Sequence, residues 1–245
     1  DPMHQFEVHP IIELPTIAGV DTSFTNASLW MVLAIGLSSL FLIAASRRTS
    51  IVPGRLQLMG EMAYSFVANM VKENVGTEGM KYFPFIFSLF VFILFCNMLG
   101  MLPYSFTVTS HLIVTFALAA TVFLLVTLVG FARHGVSFLK LFVPSGIPVV
   151  LLPLLVVIEV ISYLTRPVSL SVRLFGNMMA GHTMLKIFGG FVVGLSSAGL
   201  IPLAIAPFAL MVAFTGLELL IAGLQAYVFT ILTCIYLNEA IHMDH

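Results

Sequence analysis

The C-terminal part of this chain is apolar except for Glu159, Arg166, Arg173, Lys186, Glu218 and Glu239, with His182 and Gln225 among them. A charge at the centre of a bilayer costs at least about 2.5–3.5 kcal/mol, so such residues mark pairs or transport paths. Arg166 and Lys186 admit a plain reading, as snorkelling side chains or as partners in a structural ion pair. Arg173 does not, because it sits near the middle of its segment, too far from either end for its stem to reach water. Glu159, Arg166 and Arg173 are seven residues apart and lie nearly on one helical face. His182, nine residues beyond Arg173, falls on the opposite face, and Glu218 and Gln225 are again seven apart.

A turn centred near Gly199 would fold the two segments antiparallel. It sets His182 level with Glu218, Arg173 with Gln225, and Glu159 with Glu239. His and Glu exchange protons near neutral pH when buried. Arginine keeps its proton; it can hold a carboxylate ionised and repel a cation. Three polar levels with the arginine in the middle describe two partial proton paths separated by a fixed positive charge. Glu159 and Glu239 then belong to the path on the inner side.

The elements that must position these groups are membrane helices. The chain is 60% hydrophobic and 9% charged over 245 residues, against roughly 25% charged in soluble domains. The expected fold is an all-α integral membrane protein with about five crossing helices and one amphipathic surface helix. The chain reads as one membrane domain, residues 1–245. Residues 1–26 form an external lead-in, 27–46 the first span, and 54–75 the amphipathic helix. Residues 83–133 form a two-helix hairpin broken near Pro103, and 148–243 a long hairpin turning at 196–202. Helices that long exceed the roughly 30 Å hydrocarbon core and must tilt steeply. The lead-in has no basic stretch followed by an apolar one, so it is not read as a signal peptide. It starts at Asp1, so an upstream segment is expected.

Arg47, Arg48, Arg55, Lys72 and Lys81 fall in one loop, Arg133 and Lys140 in another, while the alternate loops have no Lys or Arg. The positive-inside rule puts the N-terminus outside and the C-terminus inside. A net charge of −1 argues against a nucleic-acid partner. Cys96 and Cys234 both lie in apolar runs and read as buried small hydrophobes. His134, His242 and His245 read as solvated, His111 as interfacial or at the mouth of a path. No metal-ligand spacing appears, and neither metal nor cofactor is expected.

"RPVSLSVRLFGNMMAGH" with "ELLIAGLQAYVFTILTCIYL" and "NMLGMLP" resembles subunit a of the F-type ATP synthases, over nearly the whole chain. The resemblance implies a proton-conducting stator subunit that is not catalytic by itself. Its partners would be a rotating ring of c subunits, b-type peripheral stalk subunits, the remaining synthase subunits, the bilayer and the translocated proton. Arg173 matches the essential arginine facing the ring; His182 and Glu218 match the inlet pair. Asn177 and Gln225 match polar positions near the arginine, and Asn97 a polar position on the third helix. The His and Glu are exchanged relative to many bacterial members, as in the mitochondrial type, although "RLFGNMM" looks bacterial; a bacterial inner membrane is the expected location. Some relatives carry Asp where this chain has Gly100. A secondary ion transporter or an ion channel is the alternative, but no repeated halves are visible.

Overall fold

The computed structural model describes residues 7–13, 23–47, 53–102, 105–143 and 151–242. The Pro103 break, Arg48, the stretch from Pro148 to Val150, Met243 and His245 lie outside them. Two short strands, β1 (Pro10–Ile12) and β2 (Phe24–Thr25), pair antiparallel ahead of the first helix. The Asn26 side chain ties this hairpin together, donating to the Glu7 carbonyl and accepting from the His9 N–H.

Among the described residues six α-helices follow: α1 (Asn26–Ser46), α2 (Arg55–Val75), α3 (Phe83–Gly100), α4 (Leu112–His134), α5 (Leu152–Ser197) and α6 (Ile201–Ile241). Among the described residues, five segments are long and apolar enough to cross a membrane: α1, α3 with its preceding 3₁₀ turn, α4 with its following one, α5 and α6. The chain is therefore an all-α, multi-pass membrane protein. Thr25 caps α1 by accepting from the Ser28 N–H, satisfying one of the orphan donors of a helix start.

The α2 helix is amphipathic, and its apolar residues divide into two sets. Val67, Ala68, Met70, Val71 and Val75 are buried against α1, α3 and α6, whereas Met59, Met62 and Phe66 are exposed. Both sets are apolar, so the helix has one greasy side toward the protein and a second left for lipid or a neighbour. Composition alone does not separate the two, because lipid tails and protein interiors are equally apolar.

The α6 helix is central, packing on α5, α4, α3 and α2. Its small residues Ala222, Ala226 and Ala240 are at most 1% exposed, and small side chains allow close approach of membrane helices. The α5 helix has 46 residues and α6 has 41, about 60–70 Å each. The turn between them is tighter than the sequence implied. Ser196 and Ser197 are still helical, Gly199 alone takes a positive φ (+77°), and Pro202 lies in the first turn of α6. That φ favours glycine, and proline is at ease where a helix has no N–H partner to lose. Pro153 likewise starts α5 rather than breaking it, while Pro167 and Pro207 lie inside their helices.

The link between α3 and α4 does not stay at the surface. After Ser105 it turns inward, and Phe106, Thr107, Val108, Thr109 and Ser110 are all buried, the last three in a 3₁₀ turn. After α4 a second 3₁₀ turn, Gly135–Phe142, inserts Phe138 over Gly130, where any side chain would collide with the ring.

Candidate functional site

The α5–α6 hairpin brings His182 and Glu218 together. His182 Nδ1 lies 3.1 Å from Glu218 Oε1, with the side chains 10% and 3% exposed. Gly181 makes the room: a Cβ there would sit 2.9 Å from Glu218 Oε1. Neither carboxyl oxygen of Glu218 completes a hydrogen bond; the close approach to Nδ1 lacks hydrogen-bond alignment and becomes an ion pair only when the imidazole is protonated. A buried carboxyl with unused lone pairs is a place for water or a proton.

The inward-turning α3–α4 link completes the site from the other side. Thr107 Oγ1 lies 3.0 Å from His182 Nε2. Thr109 donates to Asn97 Oδ1 at 2.8 Å, and Asn97 Nδ2 donates to the Ala222 carbonyl of α6 at 3.1 Å. Asn97, fully buried on α3, thus fastens the link to α6 one helical turn from Glu218. The sequence had Asn97 but missed Thr107 and Thr109. Their signal was the run of hydroxyl residues in "SFTVTS", which also suits any polar loop.

Arg173 and Asn177 are exposed, on the side of α5 away from the buried His182. Arg173 has no hydrogen bond or ion pair among the described residues. No hydrogen bond joins it to Gln225, which is buried on α6. At the innermost level the two carboxylates do not pair with each other. Glu239 pairs with Arg166, at 2.5 Å, and not with Glu159. Opposite charges attract where two carboxylates would repel, and the long arginine stem reaches across the offset. The Arg166 guanidinium also lies over Tyr163 and Tyr236, 5.1 and 5.0 Å from the ring centres. Tyr163 in turn is hydrogen-bonded to Thr127 of α4 at 2.7 Å. Glu159 is half-buried and has no pairing of its own among the described residues. His134 is not simply solvated: its Nε2 lies 3.1 Å from the Ile241 carbonyl, tying the ends of α4 and α6. His111 is half-buried and stacks on Phe106 with ring centres 4.8 Å apart.

Fold and site together define a polytopic helical membrane protein with a buried His–Glu pair on one side of a long hairpin and, on the other, an arginine unpaired among the described residues. The model of the family described as ATP synthase A chain matches residues 27–238. The ATP synthase subunit a of Parvibaculum lavamentivorans is 59% identical, across 100% of this chain and 95% of the relative. That of Pelagibacter ubique is 56% identical, across 100% and 99%, and that of Rhodospirillum rubrum 57%, across 99% and 98%. The chain belongs to this family, the proton-translocating subunit a of the ATP synthase membrane sector. It is a component of a larger complex and not catalytic by itself, which sets aside the secondary transporter and the free-standing channel.

Proposed function

We propose that the two faces of the α5–α6 hairpin serve two half-channels, with Arg173 as the barrier between them. His182 and Glu218 take protons arriving from outside. Glu159 and Glu239 line the path that drains them inside, with Glu239 paired to Arg166. Asn97, Asn177 and Gln225 are polar neighbours along the route. The partner is a ring of c subunits, each carrying a mid-membrane carboxyl group that meets Arg173. The b-type stalk subunits hold the chain still while the ring turns. The membrane is the bacterial inner membrane, with the N-terminus outside and the C-terminus inside.

The observation that carries this reading is the exposed, unpaired Arg173. A permanent charge on an outward helix face inside a bilayer is untenable without a partner, and nothing within the described chain supplies one. A mobile carboxylate does so only while ionised, which keeps protons from leaking directly between the paths. Arg173→Ala is expected to abolish ATP-driven proton pumping, read as fluorescence quenching in inverted vesicles, while the complex still assembles. Coupled pumping retained in that variant would overturn the barrier role.

A further inference from the structure

The hydroxyl of Thr107 touches two groups at once: the Gly100 carbonyl at 3.3 Å and His182 Nε2 at 3.0 Å. A carbonyl only accepts, and a hydroxyl has one proton to give. If Thr107 donated to His182, its oxygen would face the Gly100 oxygen with no proton between them. If it donates to Gly100, its lone pairs are free to accept a proton from Nε2, and both contacts are satisfied. The other ring nitrogen agrees. Nδ1 is 3.1 Å from Glu218 Oε1, yet that oxygen completes no hydrogen bond, so a proton on Nδ1 would not point at the carboxyl.

Thr107 is itself fixed. It is 4% exposed, and its side chain fills the space beside Gly100, where a Cβ would come within 2.8 Å of its methyl carbon and 2.9 Å of its hydroxyl. The adjacent Thr109–Asn97–Ala222 chain of hydrogen bonds anchors the same link to α6.

We propose that Thr107 is a positioning residue that locks the neutral imidazole of His182 as the Nε2–H tautomer, leaving Nδ1 as its one working nitrogen. This rests on the reading of His182 and Glu218 as the inlet pair. An arriving proton binds the Nδ1 lone pair, giving an imidazolium with Nε2–H still held by Thr107. It then passes from Nδ1 to the Glu218 carboxylate once that carboxyl rotates into line with the N–H, and the ring returns to its Nε2–H form. The ring neither flips nor changes tautomer during the cycle. The charged and titratable groups around His182 are Glu218 from α6 and Lys186 one turn along α5. The inward link offers hydroxyls, with His111 stacked on Phe106 beyond them, and α3 offers Asn97.

The test uses the assembled complex with ¹⁵N-histidine, the His182 signals being assigned by their loss in His182→Gln. Solid-state NMR is expected to show the neutral ring protonated at Nε2; protonation at Nδ1 would overturn the proposal. Thr107→Val keeps the shape and removes the hydroxyl; Thr107→Ser keeps the hydroxyl and removes the methyl. Valine is expected to mix the two tautomers and slow proton conduction through the membrane sector about tenfold, with an altered pH profile. Serine is expected to preserve both. A valine variant with wild-type tautomer and pH profile, or a serine variant as impaired as valine, would defeat it. Should His182→Gln and Glu218→Gln both conduct normally, the inlet reading fails instead, whatever the tautomer.

Discussion

His182 and Glu218 sit in a pocket that leaves a carboxyl without hydrogen-bond partners, a costly arrangement unless protons or water come and go. If they act as a unit, exchanging them together should restore part of what either single change removes. His182→Glu with Glu218→His is expected to conduct protons better than either single variant, measured in reconstituted membrane sectors. Losses that simply add in the double variant would argue against a pair. Both residues were legible in the sequence as titratable groups at one level. The third member, Thr107, was not, because nothing in a hydroxyl-rich loop says that it folds inward.

At the scale of elements, the α5–α6 hairpin is held at opposite ends by different chemistry. Near the turn, Phe188 and Phe214 stack with ring centres 5.3 Å apart. Near the far end, Arg166 joins Glu239 while lying over two tyrosine rings. The two partners of that ion pair are therefore not equivalent. Glu239→Gln leaves Arg166 its aromatic faces, each worth about 0.5–1 kcal/mol. Arg166→Met leaves Glu239 half-exposed and unpaired. The arginine change is expected to lower the stability of the purified complex by about 1–2 kcal/mol, and the glutamate change by less. Thermal unfolding of the two single variants and the double variant measures the coupling; equal losses would contradict the aromatic contribution. The register drawn from the turn puts His182 level with Glu218, and the two meet; farther away Glu239 takes Arg166 as its partner. Both helices carry an internal proline, and side chains as long as arginine bridge a turn or more, so depth inferred by counting loses accuracy with distance from the turn.

Across the whole molecule, the distribution of basic residues yields a testable orientation. Cys96 and Cys234 are 2% and 0% exposed and should stay silent to a membrane-impermeant thiol reagent. In intact cells Val8→Cys is expected to label from outside, and His242→Cys only in inverted vesicles; both positions are exposed. The reverse pattern would invert the assigned topology.

That the chain is a helical membrane protein, and that Arg173 and His182 face opposite ways, can be read from the residues alone. Hydrophobic run length and the helical repeat are local properties, written residue by residue. The inward turn of the α3–α4 link to reach His182, the meeting of Glu239 with Arg166 rather than Glu159, and the greasy side of α2 that faces the protein emerge only once the helices are packed together. Each of those depends on contacts between segments far apart in the chain, where several apolar or polar partners would satisfy the same local pattern and packing selects one.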